Sequence, residues 1–231
     1  MKNPIIKITD LEYSYPGYYE KRILQKFSQE VYPGDILGVI GKNGVGKSTL
    51  MRLMASIHQP LSGKIEINGV DSLNFKMRRD YLLNFVYLAH DKTLPADYTL
   101  KEYCHIYSPL YPNYSKETEE ELMKRFEFNP NEKISALSTG NRMKAFLLFA
   151  LATRVRIVLV DEITAVLDPE NREEFFQIVK IYADAGVTFI VATNIVEDLE
   201  DFANRVWFID KGAVIETTSS NLKGHFKKKA A

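Results

Sequence analysis

The chain has little cysteine. Cys104 is the single one among 231 residues. One thiol makes no internal disulfide and no cysteine metal cluster, and it suits a reducing compartment. Long apolar runs are missing as well. No stretch approaches the roughly 20 residues that cross a bilayer, and the opening MKNPIIKITD carries no signal-peptide core. Any membrane part is therefore expected on a separate chain. Neither charge is in excess. Thirty Lys and Arg balance thirty Asp and Glu, so no overall field draws nucleic acid or anionic lipid. No nucleic-acid partner is expected, and any phosphate binding must come from a local site. Lys223, Lys227, Lys228 and Lys229 read as a solvated tail. Low-complexity segments and internal repeats do not occur either. What is present is a 45% hydrophobic chain, enough for one domain with a sizeable core.

The order of elements is legible from apolar periodicity. Ile36-Leu37-Gly38-Val39-Ile40 reads as a buried strand. Leu50, Leu53, Met54 and Ile57 then fall at helical spacing, so a helix is expected over 48–57, ended by Pro60 and Gly63. Ile65 to Gly69 alternates and turns, as an antiparallel strand does. Phe85-Val86-Tyr87-Leu88 is a further strand. From Thr99 to Thr153 the texture is helical. Thr99 and Glu102 form a capping box, Leu122, Met123 and Phe126 make a second stripe, and 143–151 is apolar on most sides. An inserted helical subdomain at about 93–153 is expected. Strands return at 157–160, 188–193 and 206–209, with helices at about 170–185 and 195–203 between them. This order predicts an α/β fold: a mostly parallel sheet covered by helices, with an antiparallel β part.

Gly41-Lys42-Asn43-Gly44-Val45-Gly46-Lys47-Ser48-Thr49 fits G-x-x-x-x-G-K-[ST] between a strand and a helix, the context that this phosphate loop requires. Its glycines let successive N–H groups turn inward to phosphate oxygens, and the helix adds its N-terminal donors. Lys47 is expected on the β- and γ-phosphates and Ser48 on Mg²⁺. The strand at 157–160 delivers Asp161 and Glu162 at its carboxyl end, where open α/β sheets bind ligands. Asp161 is the candidate Mg²⁺ carboxylate. Glu162 is the candidate base for an attacking water. ATP or GTP is the expected ligand.

Leu137-Ser138-Thr139-Gly140-Asn141 precedes a helix expected to start near Arg142, about twenty residues before Asp161. Here the chain resembles the ABC-type ATPases, whose signature reads L-S-G-G-Q at that place. The resemblance covers almost the whole chain and implies a P-loop NTPase core with ATP and Mg²⁺ as cofactors. Ala165-Val166-Leu167-Asp168 is similar to the family's D-loop, and Tyr15 stands where the family has an adenine-stacking aromatic. The resemblance further implies a head-to-tail pair with a second ATP-binding subunit, identical or different. ATP then lies between residues 41–49 of one subunit and Ser138 to Gly140 of the other. It also implies a peripheral place on the cytoplasmic face of a membrane, through an integral permease whose coupling helix sits in a groove formed by 88–98 and the helical part.

Three positions depart from the family pattern. Thr139 and Asn141 replace Gly and Gln in the signature. His90 stands where a glutamine touches Mg²⁺, and imidazole is a poor ligand for that ion. Asn194 replaces a histidine at the γ-phosphate, keeping amide donors but no charge. Tyr107 to Tyr114 resembles a stretch of small bacterial exporter subunits, so an exporter ATPase is expected. Alternatives are a soluble ABC-type ATPase, and a nucleotide-binding regulatory subunit with little turnover.

Overall fold

The computed structural model describes residues 3–89 and 94–218. In chain order its elements are β1 (Ile6–Tyr13), β2 (Leu24–Val31), β3 (Ile36–Ile40), α1 (Lys47–Met54), β4 (Ser62–Ile67), β5 (Val70–Asp71), α2 (Arg78–Leu82), β6 (Phe85–Ala89), α3 (Leu100–Tyr107), α4 (Lys116–Arg125), α5 (Thr139–Ala152), β7 (Ile157–Asp161), α6 (Pro169–Asp184), β8 (Thr188–Thr193), α7 (Glu197–Glu200), β9 (Arg205–Asp210) and β10 (Ala213–Thr217).

Two sheets form. One is six-stranded, in the order β10-β9-β3-β8-β7-β6, and parallel except for β10. Its central strands β3, β8 and β7 are buried on both faces, as parallel strands are. Residues alternate between two cores. Val158 and Val160 of β7, with Phe189 and Val191 of β8, face a cluster built with α5 and α6. Ile157, Leu159, Ile190 and Ala192 face the opposite cluster, built with α1 and the second sheet. That second sheet is antiparallel, in the order β2-β1-β4-β5.

The helical segment behaves locally as its sequence dictates. Thr99 and Glu102 make both halves of the capping box on α3. α5 is buried on nearly every side, with Leu147, Leu148, Ala150 and Ala152 at or near zero exposure.

Several boundaries differ from expectation. α1 ends at Met54, not Ile57. Ser56 takes a left-handed φ of 54° and the chain turns away, leaving Ile57 52% exposed. α5 starts at Thr139 rather than near Arg142, because Ser138 caps it. The expected helix over 195–203 is a single turn, α7. His90 lies outside the described residues.

Candidate functional site

Parallel pairing sets the site. Ile40 lies opposite Thr193, Asp161 opposite Ala192, and Ala89 opposite Asp161. The carboxyl ends of β3, β8, β7 and β6 therefore share one edge of the sheet. The loop at 41–49, Asp161-Glu162 and Asn194 leave from that edge. This is where a doubly wound sheet holds its ligand.

The loop after β3 turns at Gly46, which has φ 120° and caps α1 in a left-handed conformation. Glycine adopts this φ without steric cost. It has no side chain to cap the helix, and α1 carries no side-chain cap. The first-turn N–H groups and the positive end of the helix dipole face the loop interior. The Lys47 side chain is 1% exposed and is held over the loop. Its Nζ donates to the Gly41 carbonyl at 3.0 Å and the Lys42 carbonyl at 3.3 Å. The same Nζ sits 3.3 Å from Glu162 Oε1. Tyr15, Gly44, Gly46, Lys47, Ser48 and Glu162 line a cavity of about 150 Å³, with Ile23 and Thr49 completing the wall.

Asp161 is 2% exposed and has two hydroxyl donors. Ser48 Oγ donates to Oδ1 at 2.9 Å, and Tyr87 OH donates to Oδ2 at 2.8 Å. Burial raises the Asp161 pKa above the usual carboxylate range, and the Tyr87 and Ser48 bonds oppose that rise. Mg²⁺ selects hard oxygen donors and keeps a mixed shell of one or two protein ligands, waters and substrate phosphates. The Ser48 hydroxyl and Asp161 carboxylate, adjacent and all-oxygen, fit that demand. When bound, the ion would neutralise phosphate charge there.

Glu162 is the one departure from ordinary backbone in this strand end. Its φ is 55°, and its N–H donates to the Ala192 carbonyl at 2.9 Å. A non-glycine residue held in that region costs of order 1–3 kcal/mol and marks an over-determined position. The turn aims the carboxylate at Lys47 instead of along β7. Asn194 is exposed, and its Nδ2 donates to Asn43 Oδ1 at 3.3 Å, so it touches the tip of the phosphate loop. Tyr15 OH hydrogen-bonds Thr49 Oγ1 at 2.8 Å. The Tyr15 ring packs edge-on against Tyr13 and His58, which puts the aromatic beside the loop.

The remaining site residues lie elsewhere. Ser138 is the N-cap of α5, its Oγ accepting from the Asn141 N–H at 3.2 Å. Gly140 is buried against α6, and a Cβ there would come within 2.7 Å of the Asn171 side chain. Neither Ser138 nor Gly140 lines the cavity at residues 41–49. Asp168 caps α6, with Oδ1 accepting from Asn171 N–H at 2.9 Å and Oδ2 from Asn171 Nδ2 at 2.7 Å. Those bonds hold its pKa below the usual range. Asn171 thus touches both Asp168 and Gly140.

Sequence reasoning missed two features. The first is Tyr87, whose partner becomes visible only once β6 lies beside β7. The second is a buried polar cluster. Thr164 Oγ1 donates to Thr193 Oγ1 at 3.1 Å, Arg172 sits 3.4 Å from Asp198, and Arg172 also donates to the Leu167 carbonyl at 2.9 Å. It ties the turn after Glu162 to the turn holding Asn194.

A strand, a glycine loop with a buried lysine, a helix N-terminus and an acidic pair at the neighbouring strand ends define a P-loop nucleoside triphosphatase. The chain belongs to the ABC transporter family, whose sequence model matches residues 24–165. It is 33% identical over 208 residues to the lipoprotein-releasing system ATP-binding protein LolD of Buchnera aphidicola, across 84% of this chain and 90% of that protein. It is 29% identical over 227 residues to the methionine import ATP-binding protein MetN of Chlamydia pneumoniae, across 93% of this chain and 65% of that one. Several curated relatives are similarly longer, the chain spanning 65–66% of their length. Among solved structures, one described as the ATP binding subunit of an ABC transporter superposes with a TM-score of 0.83 at 22% identity, covering 98% of this chain and 95% of that chain. This last likeness shows the fold.

Proposed function

We propose that the chain binds ATP with Mg²⁺ at residues 41–49 and hydrolyses it as one half of a head-to-tail pair. The observation that carries this reading is the meeting of Lys47, Ser48, Asp161 and Glu162 at one sheet edge. Backbone N–H groups of the loop and the Lys47 ammonium hold the β- and γ-phosphates. Tyr15 offers its ring to adenine. Glu162, 3.3 Å from Lys47, orients a water for in-line attack on the γ-phosphorus and accepts its proton. The bond to the β-phosphate oxygen breaks, giving ADP and phosphate. Lys47 stabilises the charge that develops. Asn43 and Asn194 supply neutral donors at the far side of the γ-phosphate.

Ser138 and Gly140 stand apart from this cavity, so in the proposal they serve the ATP of a second ATP-binding subunit, a copy of this chain or a relative. Asp168 lies beside them through Asn171. Among the described residues no helix is long and apolar enough to cross a membrane, and the proposed transport path is a separate permease. A groove of about 570 Å³ supports that assignment. Its floor includes Leu94, Pro95, Ala96, Met143 and Phe146, in the region where a coupling helix is expected. The helical part over about 93–153 would move as the arm that carries it. The protein then sits peripherally on the cytoplasmic face of a membrane.

Export is the proposed direction. The Tyr107–Tyr114 segment supports it, as does the likeness to a lipoprotein-releasing protein. The likeness to MetN favours import. Transport into the lumen of inside-out vesicles on addition of ATP is the result expected for an exporter, and ATP-driven loss from preloaded ones marks an importer. The ATPase reading is tested by phosphate release from the chain copurified with its permease. Activity that vanishes in Lys47→Ala supports it. A second reading, nucleotide binding with little turnover, is favoured by the neutral Asn194 and predicts no release above background in the parent.

A further inference from the structure

Asp161 is fixed at both oxygens, and its second donor comes from a residue outside the phosphate loop. Tyr87 lies on β6, opposite Leu159 in register, and Ala89 lies opposite Asp161. Because side chains alternate along strands, Tyr87, Leu159 and Asp161 project from the same face. That face looks onto α1. Ser48 and Arg52 stand four residues apart on α1, one turn above the other. Ser48 supplies its hydroxyl to Asp161 Oδ1 at 2.9 Å. Tyr87 supplies its own to Oδ2 at 2.8 Å. The Arg52 charge acts on both Tyr87 and Asp161. The Tyr87 ring packs against the core cluster beneath α1, so the hydroxyl is carried on a fixed stem.

A carboxylate with one donor can rotate about its Cβ–Cγ bond and present either oxygen. With a donor on each oxygen it cannot do so without losing a bond. A donor on the outer oxygen of a metal-binding carboxylate sets the inner oxygen's direction and its basicity, as outer-shell partners do at metal sites. It also compensates the ionised group for its burial, since Asp161 is 2% exposed.

We propose that Tyr87 is a positioning residue for the divalent cation: its hydroxyl holds Oδ2 of Asp161 so that Oδ1, beside Ser48, faces the ion. The proposal rests on the reading of Asp161 and Ser48 as the Mg²⁺ ligands. The bonded route from Tyr87 to the phosphate loop runs through Asp161, so nucleotide affinity without metal should not depend on Tyr87.

The test uses Tyr87→Phe, Tyr87→Leu and Asp161→Asn in the full chain. Two quantities are read: affinity for a fluorescent ADP analogue in EDTA, and the Mn²⁺ half-saturation of the ADP complex by electron paramagnetic resonance. Thermal midpoints report the fold. Tyr87→Phe keeps the ring and should leave EDTA affinity within about twofold of the parent. Its Mn²⁺ half-saturation should rise about tenfold, the lower end of the effect of outer-shell partners. Tyr87→Leu should shift half-saturation by the same factor despite a lower midpoint, because the hydroxyl and not the ring is what the cation depends on. Asp161→Asn should shift it at least as far. Parent-like half-saturation in Tyr87→Phe with a shifted Asp161→Asn overturns the Tyr87 proposal and leaves the metal site standing. A shift in Tyr87→Phe with none in Asp161→Asn overturns the route through Asp161. No shift in any variant overturns the metal-site reading together with the proposal.

Discussion

Two helices that begin near the chemistry begin differently. α1 opens at Gly46, a left-handed residue with no side chain and no side-chain cap. α5 opens at Ser138, whose own hydroxyl accepts the Asn141 N–H. Both ends carry the N–H donors and positive dipole that attract anions. The first leaves its donors to the loop and puts Lys47 over them. The second has one of its donors taken by its own cap and presents an exposed serine away from the cavity. The difference separates the proposed phosphate cradle of this chain from a helix end that carries its own side-chain cap and is offered outward.

The largest effect expected from breaking this contrast comes from Lys47→Ala. It removes the buried positive charge held over the loop and takes from Glu162 the cation 3.3 Å away. ATP affinity should fall by about 100-fold or more, because a charge-assisted contact to phosphate contributes several kcal/mol. Isothermal titration with ATP measures it. Unchanged affinity would remove the loop assignment.

Ser138 sharpens the comparison from the other side. Ser138→Ala should cost about 1 kcal/mol of stability through the lost cap. It should also cut turnover by at least about tenfold, while ATP affinity of the single chain stays within about twofold, on the scale of one lost phosphate donor. Ser138→Asp is the control. Aspartate caps a helix well, so the midpoint should recover, but a carboxylate facing phosphate should not restore turnover. Recovery of both would make Ser138 a cap and nothing more.

A smaller change is expected at Asn194. Asn194→His gives up the amide bond to Asn43, 3.3 Å long in the parent, and adds a group that carries charge below about pH 6.5. Turnover should rise, with the gain growing as pH falls from about 7.5 to 6. A flat ratio of variant to parent across that range, in a phosphate-release assay, would make the position neutral.

The smallest effect concerns Asp168, which caps α6 as Ser138 caps α5. The Asn171 backbone and side-chain bonds hold the Asp168 pKa below its unfolded value. The stability it contributes is therefore present above the unfolded carboxylate value of about 3.9 and lost as pH falls through the lower folded value. Thermal midpoints of Asp168→Ala should lie below the parent at pH 6, and the two curves should converge only as pH falls through the lowered folded value. Parallel curves would deny the cap its charge.

What the sequence disclosed follows the same physics. β3, β7 and β8 are short apolar runs buried on both faces, and the loop after β3 carries its motif intact, so the core and the proposed phosphate loop could be read directly. β1 and β2 could not. β1 has a bulge where Asp10 takes φ 49°, which breaks the alternation between Ile8 and Leu11. β2 buries Leu24, Phe27 and Val31, a spacing of three and four that belongs to a helix. At the other extreme, Ile57 continued a helical period that Ser56 had already ended. The role of Tyr87 was invisible for a different reason. Its partner Asp161 lies 74 residues away, and only the pairing of β6 with β7 brings them together.

Glu162 is central to the proposed chemistry, because its left-handed backbone turns the carboxylate toward Lys47. The deciding measurement is phosphate release by Glu162→Gln, with bound ATP assayed in the same sample. The amide keeps the shape but accepts no proton. Release should fall by about 10²–10⁴-fold, the range of general-base catalysis, with ATP retained intact on the protein. Release at the parent rate would contradict the account and move the chemistry away from residues 161–162.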